Sequence, residues 1–561
     1  MGSIVSIIAA ILCHTAALSG YALRGFEAPW ALPVLAGLPY GFAWLSRSSG
    51  RAGHHKRAQR WVALTESSGA IAFGALVLGL GWLDTVRRFT GDALTPESWP
   101  GEALGASLLP FVLYQLCAID ASVRAHGGTP ATRRHLRAFQ VRMFVAFIVP
   151  LLLFISVSAA VGRSDWMRAQ VEHVGLASAL FTGLFVIGMA LMLPRLITWS
   201  WDTAPFPEGP QKDLLESVAT RAEFQPRALR LWRTGHLIAN ATIIGARRGG
   251  HVVLFSDQLL SVLNSRELCA VYGHEIGHAK RGHVVAFLAW TAAFFFIGEA
   301  ATVEAMEAYG DSAGVAVGAA FAAAWFFTFG WLSRRFELEA DLFSLETVGD
   351  LQALVSALER VGGSQPARNG WRHFSVHRRV HFLGRAAADE PFVARFRARL
   401  GVFTKLGLAL AALGAALQLN LLLADLPADR TVASIARGHY QRAKALSMDL
   451  EGPDAEDLRA LAAAAAEIEG RTPADAARAL SGVLSQEPLR GGDDPRLDRA
   501  LALAKIMGLR GVPGAADAEE VLGAAADGRM SVARRGARRM RGPRSAELRR
   551  FLGEPDAAGR Q

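Results

Sequence analysis

Nine apolar blocks, each long enough to cross a lipid bilayer as a helix, recur along this 561-residue sequence. They cover approximately residues 3–23, 29–45, 61–83, 103–123, 139–162, 174–199, 284–306, 312–332 and 401–424. A helix needs about 20 mainly apolar residues to cross the hydrocarbon core of a membrane. The first two blocks are the weakest, because His14 interrupts one and Pro33 and Pro39 interrupt the other. We therefore predict a mainly α-helical, polytopic membrane protein.

The charges between these blocks alternate in sign and predict an orientation. The loop after the second block is basic, with Arg47, Arg51, Lys56, Arg57 and Arg60 and no acidic residue. The next loop is largely acidic, with Asp84, Asp92, Glu97 and Glu102 beside Arg87 and Arg88. The loop after that is basic again, with Arg124, Arg133, Arg134 and Arg137. Since basic loops tend to remain in the cytoplasm, we expect these loops there, and by parity the segment 200–283 as well.

The positions of the basic residues, which give a net charge of +10, and of the three cysteines argue against a nucleic-acid-binding protein and against a disulfide-rich protein. The basic residues occur in loops between apolar blocks, which is typical of a membrane protein and not of a folded nucleic-acid-binding face. Cys13, Cys117 and Cys269 lie far apart in apolar surroundings, so they predict buried packing and neither a disulfide framework nor a metal site. We expect the lipid bilayer as a partner and no nucleic acid.

Beyond residue 424 the sequence becomes rich in Ala, Arg, Asp and Glu. Helical patterns at 454–468, 473–486 and 496–508 are joined by turn-like stretches. They predict a soluble helical appendage, for which helical repeats are an option that no fixed period establishes. Its basic end, from Arg529 to Arg550, favours a solvated tail over contact with anionic lipid or nucleic acid. This region is the candidate for binding a protein partner.

One short motif, His274-Glu275-Ile276-Gly277-His278, indicates chemistry. Residues i and i+4 share a helical face, so His274 and His278 can direct both imidazoles at one metal ion. Glu275 lies beside that face, where it can take a proton from a metal-activated water. A strand pattern at 252–255 and a helix start at 266–268 precede the motif and favour a metal site over two ordinary surface histidines. The motif predicts one zinc ion per chain.

A third protein ligand is needed for such a zinc site. His283 follows His278 by five residues, which turns it about 140° off the ligand face, so we expect a structural or supporting role for it. Downstream, Glu337 and Asp341 again share a helical face, while Glu339 points elsewhere. One of these two carboxylates can bind zinc, and the other can hold a ligand imidazole through its second ring nitrogen.

Four local motifs lie within about residues 202–400. They are Asn240-Ala241 with the strand pattern at 252–255, Glu267 leading into His274-Glu275-x-x-His278, Ser333-Arg334-x-x-Glu337-x-x-Ala340-Asp341, and His373-Phe374-Ser375-Val376-x-x-Arg379-Val380-x-x-Leu383. On these motifs the sequence resembles the membrane zinc metallopeptidase family of the CAAX prenyl endopeptidases and the HtpX-type bacterial quality-control proteases, which have gluzincin sites.

A metal centre and a catalytic base follow from this resemblance. It implies that His274, His278 and Glu337 bind zinc. It also implies that Glu275 is the general base and that Asp341 holds a ligand histidine.

The resemblance further implies how a substrate is bound. Two residues would bind its main chain as an added strand, namely Asn240 and Ala241. His373 would stabilise the oxyanion of the tetrahedral intermediate, with Arg379 supporting the site. Phe374 stands where the family pattern has proline, which leaves His377 as a second candidate for the oxyanion role.

Four regions are predicted. They are an N-terminal membrane-helix bundle of about six helices (1–200), a zinc metallopeptidase domain of helices and a small β-sheet that includes the membrane helices 284–306 and 312–332 (201–400), a further membrane helix (401–424), and the soluble helical C-terminal region (425–561).

We therefore expect an endopeptidase that hydrolyses a protein or peptide substrate. The Ala- and Arg-rich usage suggests a high-GC bacterium, so damaged or misassembled membrane proteins are the expected substrates and not prenylated proteins, which need a eukaryotic setting. The expected location is the bacterial inner membrane, with the catalytic site facing the cytoplasm.

The main alternative is a catalytically silent membrane sensor or scaffold that uses the C-terminal helices as a binding module. A protease with its zinc inside the bilayer and a transporter are less favoured. The motif helix begins in a polar region, and transport would not require the two zinc half-motifs.

Overall fold

Helices dominate the computed structural model, which describes residues 29–90, 100–126, 129–245, 249–361, 370–371, 373–452, 454–489, 494–512, 514–540 and 544–554. These residues form two compact units. The first holds the described residues of Met1–Ala118, Leu151–Leu184 and Leu422–Gln561, and the second holds those of Ile119–Pro150 and Phe185–Leu421.

Eight helices precede the sheet in the described part of the chain. They are α1 (Ala31–Arg51), α2 (His55–Ser67), α3 (Gly69–Gly74, followed by a π-helical turn at Ala75–Gly79), α4 (Trp82–Thr90), α5 (Pro100–His126), α6 (Pro130–Gly162), α7 (Asp165–His173) and α8 (Gly175–Ser200).

The sheet and the helices around it come next in the chain. They are β1 (Thr203–Pro205), α9 (Pro210–Arg221), β2 (Ala228–Trp232), β3 (Ala241–Ile244), β4 (Val252–Ser256), α10 (Asp257–Val262), α11 (Ser265–Lys280), α12 (His283–Tyr309), α13 (Asp311–Val348), α14 (Leu351–Val361) and α15 (Val376–Ala388). The long helix α16 (Glu390–Ala436) follows.

Six described helices are long and apolar enough to cross a membrane: Gly105–Ala125 within α5, and the helices α6, α8, α12, α13 and α16. They coincide with six of the nine predicted blocks, which confirms the expectation of a mainly helical protein with several membrane spans. The predicted block 61–83 falls in a bent pair, His55–Thr65 and Gly69–Gly79, that counts as a seventh span if it is one. The block 29–45 forms α1, which is not among the six, and the block 3–23 lies outside the described residues.

The sheet has the strand order β1-β2-β4-β3, with β2 and β4 parallel and the other two pairs antiparallel. Every residue of β4 is buried, because neighbouring positions of a strand face opposite sides and both sides are covered. Val253 and Phe255 face a core built with α9, α10 and α11. Val252 and Leu254 face Phe139 of α6 and other residues at the ends of α6 and α8. Strand β3 lies at one edge of the sheet.

Two small residues on α11 allow it to approach α13 closely. A Cβ on Gly273 would lie 3.0 Å from the hydroxyl of Ser344, and a Cβ on Gly277 would lie 3.0 Å from Cα of Ala340. Such contacts are too close for a larger side chain. The Ser344 hydroxyl donates a hydrogen bond of 2.6 Å to the backbone oxygen of Ala270. The sequence spacing of these glycines, four residues apart, places both on the same face of α11.

The C-terminal helices pack around their own hydrophobic core. They are α17 (Tyr440–Ser447), α18 (Ala455–Ala466), α19 (Pro473–Leu484), α20 (Pro495–Leu509), α21 (Ala515–Ala526), α22 (Met530–Arg539) and α23 (Arg544–Phe551). Leu480, Leu503, Leu522 and Phe551 are among the buried side chains of this core. Helices α18, α19 and α20 confirm the three helical patterns predicted from the sequence. The basic segment from Arg529 is also helical here and contributes Ala533 and Ala537 to the core, so it is not merely a solvated tail.

Substituting Gly277 by leucine should destabilise the protein by about 1–3 kcal/mol, because the new side chain meets the backbone of α13. Gly384→Leu on α15 is the matched control, since a Cβ there meets no atom within 4 Å. Thermal unfolding in detergent would show a melting temperature about 1–3 °C lower for Gly277→Leu alone. Equal melting temperatures for the two variants would contradict this account of the packing of α11 on α13.

Candidate metal centre

A capping box fixes where α11 begins and therefore where its side chains point. Asn264 Oδ1 accepts hydrogen bonds from the backbone N–H groups of Arg266 and Glu267, both at 3.0 Å. Glu267 Oε2 accepts one from the backbone N–H of Asn264 at 2.9 Å. These bonds satisfy N–H groups that a first helical turn leaves without partners. Glu267 is buried and also accepts a hydrogen bond of 2.5 Å from Ser356 of α14, which ties the cap to a neighbouring helix.

His274 and His278 of α11 and Glu337 of α13 converge on one point, and these three side chains form the candidate ligand group. The two Nε2 atoms lie 3.2 Å apart. Glu337 Oε2 lies 3.6 Å from His274 Nε2, and Glu337 Oε1 lies 3.6 Å from His278 Nε2. Tetrahedral zinc with bonds of about 2.0–2.2 Å would hold its ligand atoms about 3.3–3.6 Å apart. Two imidazole nitrogens and a carboxylate at these separations fit a divalent transition-metal ion.

His274 is held from behind by a buried ion pair. Its Nδ1 lies 2.9 Å from Asp341 Oδ1, so Nδ1 carries the proton and Nε2 keeps a lone pair for the ligand group. Asp341 is fully buried and accepts hydrogen bonds from Arg379 Nε at 2.7 Å and Nη2 at 2.6 Å. Burial lowers the pKa of His274, but the hydrogen bond and charge of Asp341 raise it overall. The site therefore favours positive charge at His274 Nε2, whether from a proton or from a metal ion.

His278 has a different neighbour, His283, whose Nδ1 lies 2.9 Å from His278 Nδ1. His283 is thus behind the ligand histidine, outside the ligand group itself. Burial and the nearby charge of His274 hold the pKa of His278 well below its usual range. A neutral imidazole is the form that binds a metal ion.

Glu275 lies next to the ligand group but is not part of it. Its carboxylate accepts a hydrogen bond from the backbone N–H of Ile243 in β3. Desolvation raises the pKa of Glu275 to about 7, against the opposing effects of His274 and of the Ile243 hydrogen bond. A carboxyl group with a pKa in this range can both take and return a proton near neutral pH.

Strand β3 presents an open edge beside Glu275. Its neighbour β4 pairs with it on one side, and the Ser256 N–H donates to the Asn240 carbonyl at 3.0 Å. Because hydrogen-bonded and non-hydrogen-bonded pairs alternate in an antiparallel ladder, the backbone groups of Ala241 and Ile243 face away from β4. The bond from Ile243 to Glu275 agrees with this alternation. Asn240 is an exposed residue at the start of this edge.

Trp371 anchors the segment that precedes α15 on helix α13. Its ring stacks on Phe326 and Phe329, with centroids 4.5 and 5.5 Å apart. It also covers Gly330, where a side-chain carbon would collide with the indole. Trp371 is thus held on α13 near the end of the segment that precedes α15.

His373 lies at that end, and its Nδ1 is 3.1 Å from Glu337 Oε2. Its side chain is 55% exposed, so a substrate can reach the ring. The next residue, Phe374, is buried and lies under the guanidinium groups of Arg378 (4.1 Å to the ring centroid) and Arg334 (5.7 Å). The phenylalanine that replaces the expected proline is therefore packed in place, and it leaves His373 beside Glu337.

The remaining sequence candidates are placed as follows. Arg379 contacts Asp341 and approaches Glu337 Oε2 at 3.7 Å. His377 is exposed on α15, and the described residues give it no ion pair or hydrogen bond with the ligand group.

Sequence reasoning missed two contacts around this centre. One is the backbone N–H of Ile243 on Glu275, which no side-chain pattern can indicate. The other is the contact between Glu339 and His283. Glu339 faces away from the ligand group, as predicted from its helical position. The signal in the sequence for the second contact was the position of His283 just before the apolar block 284–306. This histidine begins α12 and therefore lies next to α13.

Purified protein should bind one divalent transition-metal ion per chain, and Glu337→Ala should lose that metal because one of three ligands is removed. Elemental analysis after desalting measures the metal, and circular dichroism checks that the variant is folded. His377→Ala is the control and should keep the wild-type metal content. Full metal content in folded Glu337→Ala would contradict the assignment.

Comparisons with known proteins identify the family of this chain. The model of Peptidase family M48 matches residues 209–387, which include α11 and the Glu337 segment of α13. "Protease HtpX homolog" of Bordetella pertussis is 30% identical over 267 residues, covering 40% of this chain and 85% of the relative. "CAAX prenyl protease 1 homolog" of Arabidopsis thaliana is 26% identical over 183 residues, covering 31% and 40%.

Among solved structures, Ste24p of S. mikatae is similar with a TM-score of 0.35 and 14% identity, covering 64% of this chain and 100% of that chain. The family match contains all three residues of the ligand group, and most of a bacterial relative aligns with this chain. The chain therefore belongs to peptidase family M48.

Proposed function

We propose that this protein is an integral-membrane, zinc-dependent endopeptidase. The observation that carries the proposal is the ligand group of His274, His278 and Glu337 with Glu275 beside it at the open edge of β3. Membership of a peptidase family and six candidate membrane helices support the same activity.

Different residues of the site have different roles in peptide hydrolysis. His274, His278 and Glu337 would hold the zinc ion, which would supply Lewis-acid chemistry that makes water acidic enough to lose a proton near neutral pH. Glu275 takes that proton as the water oxygen attacks the scissile carbonyl carbon. It then returns the proton to the amine nitrogen as the C–N bond breaks. The Ile243 N–H keeps the carboxyl group of Glu275 in position through these transfers.

The open edge of β3 is the proposed binding site for the substrate main chain. A peptide added there as an extra strand can pair with the outward N–H and carbonyl groups of Ala241. Asn240, exposed at the start of the edge, lies in reach of the same peptide. A peptide bound in this way would run along β3, next to the Glu275 carboxyl group that Ile243 contacts.

His373 is the proposed donor to the oxyanion. Its ring combines exposure with proximity to Glu337, so a carbonyl oxygen at the metal site would lie within its reach. Asp341 and Arg379 act on His274 and keep its imidazole oriented.

We further propose damaged or misassembled membrane proteins of a bacterial inner membrane as substrates. A bacterial relative named "Protease HtpX homolog" supports a bacterial protease. The substrate class itself follows from the resemblance to HtpX-type quality-control proteases. The basic loops that follow the second and fourth apolar blocks support a cytoplasmic catalytic face. By parity of the apolar blocks, the segment 200–283 lies on the same side of the membrane as these loops.

The four predicted regions become part of this proposal. The family match at 209–387 falls within 201–400, the proposed catalytic domain. The region 1–200 and the helix 401–424, which continues within α16, anchor it in the membrane. The region 425–561, with its separate core, is the proposed site for a protein partner.

Glu275→Gln should lower peptide cleavage by about 10²–10⁴-fold and leave metal binding intact, because the ligands stay and only the base is lost. A casein assay with parallel elemental analysis measures both. Glu359→Gln, an exposed acid on α14, is the control and should cleave normally. Wild-type protein that holds zinc and shows no Glu275-dependent cleavage would favour the scaffold alternative.

His373→Ala should lower kcat by about 10²–10³-fold, because a donor to the oxyanion acts mainly in the transition state. His377→Ala should keep nearly the wild-type kcat, since His377 is exposed and makes no hydrogen bond or ion pair with the ligand group among the described residues. Steady-state kinetics on a quenched fluorescent peptide separates kcat from KM. A large loss in His377→Ala with none in His373→Ala would reverse the assignment.

A further inference from the structure

We propose that His283 and Glu339 are positioning residues that fix the tautomer and direction of the ligand imidazole of His278. The inference rests on the metal centre of the proposed function and adds to it a second support for the ligands. Three helices contribute to it, namely α11 with His278, α12 with His283 and α13 with Glu339.

His283 is held rigidly between these helices. It is 1% exposed, and its ring stacks on Phe336 with centroids 4.2 Å apart and planes 10° from parallel. Gly282, with φ of 66°, makes the turn that places His283 at the first position of α12. A stacked and buried ring at the start of a helix has little freedom to turn, so both of its nitrogens keep fixed directions.

Two hydrogen bonds form a chain from Glu339 to His278. His283 Nε2 lies 3.3 Å from Glu339 Oε2, and His283 Nδ1 lies 2.9 Å from His278 Nδ1. A carboxylate only accepts, so Glu339 requires the proton on His283 Nε2. Nδ1 of a neutral His283 is then an acceptor, and it must receive the proton of His278 Nδ1. The Nε2 atom of His278 is left with its lone pair directed at the ligand group.

Glu339 is itself kept in place by charge. Arg281 Nε and Arg397 Nε approach its Oε1 at 3.8 and 3.9 Å. Arg397 also makes a two-pronged pair with Glu346, at 2.7 and 2.8 Å. The two guanidinium groups compensate the negative charge of a largely buried carboxylate, so it can remain the acceptor for His283.

The two ligand histidines thus receive different supports. His274 donates directly to the carboxylate of Asp341. His278 instead donates to the uncharged ring of His283, which in turn donates to the carboxylate of Glu339. Groups that hold the second nitrogen of a ligand histidine typically change metal affinity by about 10–100-fold when removed. His283 and Glu339 should therefore act on the metal through His278 without touching it.

The test is the zinc affinity of purified full-length variants, measured by competition with a chromophoric chelator. His283→Phe keeps a stacked ring but offers no acceptor, and should weaken zinc binding by about 10–100-fold. His283→Asn places an acceptor oxygen close to the lost Nδ1 and should recover part of that affinity. Glu339→Gln should weaken binding by a smaller factor, because the amide can still accept but carries no charge.

Glu346→Gln is the matched control for Glu339→Gln. Glu346 pairs with Arg281 and Arg397, the same arginine cluster that flanks Glu339, and contacts no histidine of the chain to His278. Its substitution should therefore keep the wild-type zinc affinity. The absorption spectrum of the Co²⁺-loaded protein should change in His283→Phe and not in Glu346→Gln, which a general loss of stability would not produce.

The outcomes separate this inference from the proposed function. Wild-type zinc affinity and an unchanged Co²⁺ spectrum in folded His283→Phe and Glu339→Gln would overturn the positioning role and leave the metal centre intact. Absence of zinc binding in the wild-type protein would instead overturn the metal centre, and with it both proposals. An equal loss of affinity in Glu346→Gln would attribute the effect to the arginine cluster and also overturn the inference.

Discussion

The close contact between α11 and α13 is the interaction on which the site depends. Gly273 and Gly277 carry no side chain of their own at this contact, and the Ser344 hydroxyl bonds to the backbone of α11 at the same place. Helix axes that pass this closely bring His278 and Glu337 within 3.6 Å, although about sixty residues separate them in the chain. A contact made through larger side chains would hold the two half-motifs about 1–2 Å further apart.

Buried charge is the cost of this arrangement, and each charge has an opposite partner. An unpaired ion in a protein interior loses several kcal/mol of hydration, which excellent local geometry must offset. Asp341 is paired with Arg379 and hydrogen-bonded to His274. Glu339 is flanked by Arg281 and Arg397 and hydrogen-bonded to His283. Glu337 is surrounded by three histidines and Arg379. These pairs order the side chains of the candidate metal centre.

Much of the fold could be predicted, and the reasons are local. A run of about 20 apolar residues has few solutions other than a membrane helix, and six described helices match such runs. The length of α16 could not be predicted, since it continues through Pro427 well beyond its apolar block. The strand order β1-β2-β4-β3 was equally out of reach, because it depends on which strands meet across the sheet. That order is what leaves β3 at an edge beside Glu275.

The sequence by itself determined the chemistry of the site, because ligand type and helical spacing are local properties. His274 and His278 share a face wherever α11 lies, and the same holds for Glu337 and Asp341 on α13. Only the tertiary structure decided how these faces meet, which side chain of the downstream pair joins the ligand group and which one stands behind His274. It also placed His373 against Glu337 and His283 behind His278. Such contacts depend on distances between separate helices, and the spacing of residues along one helix does not contain them.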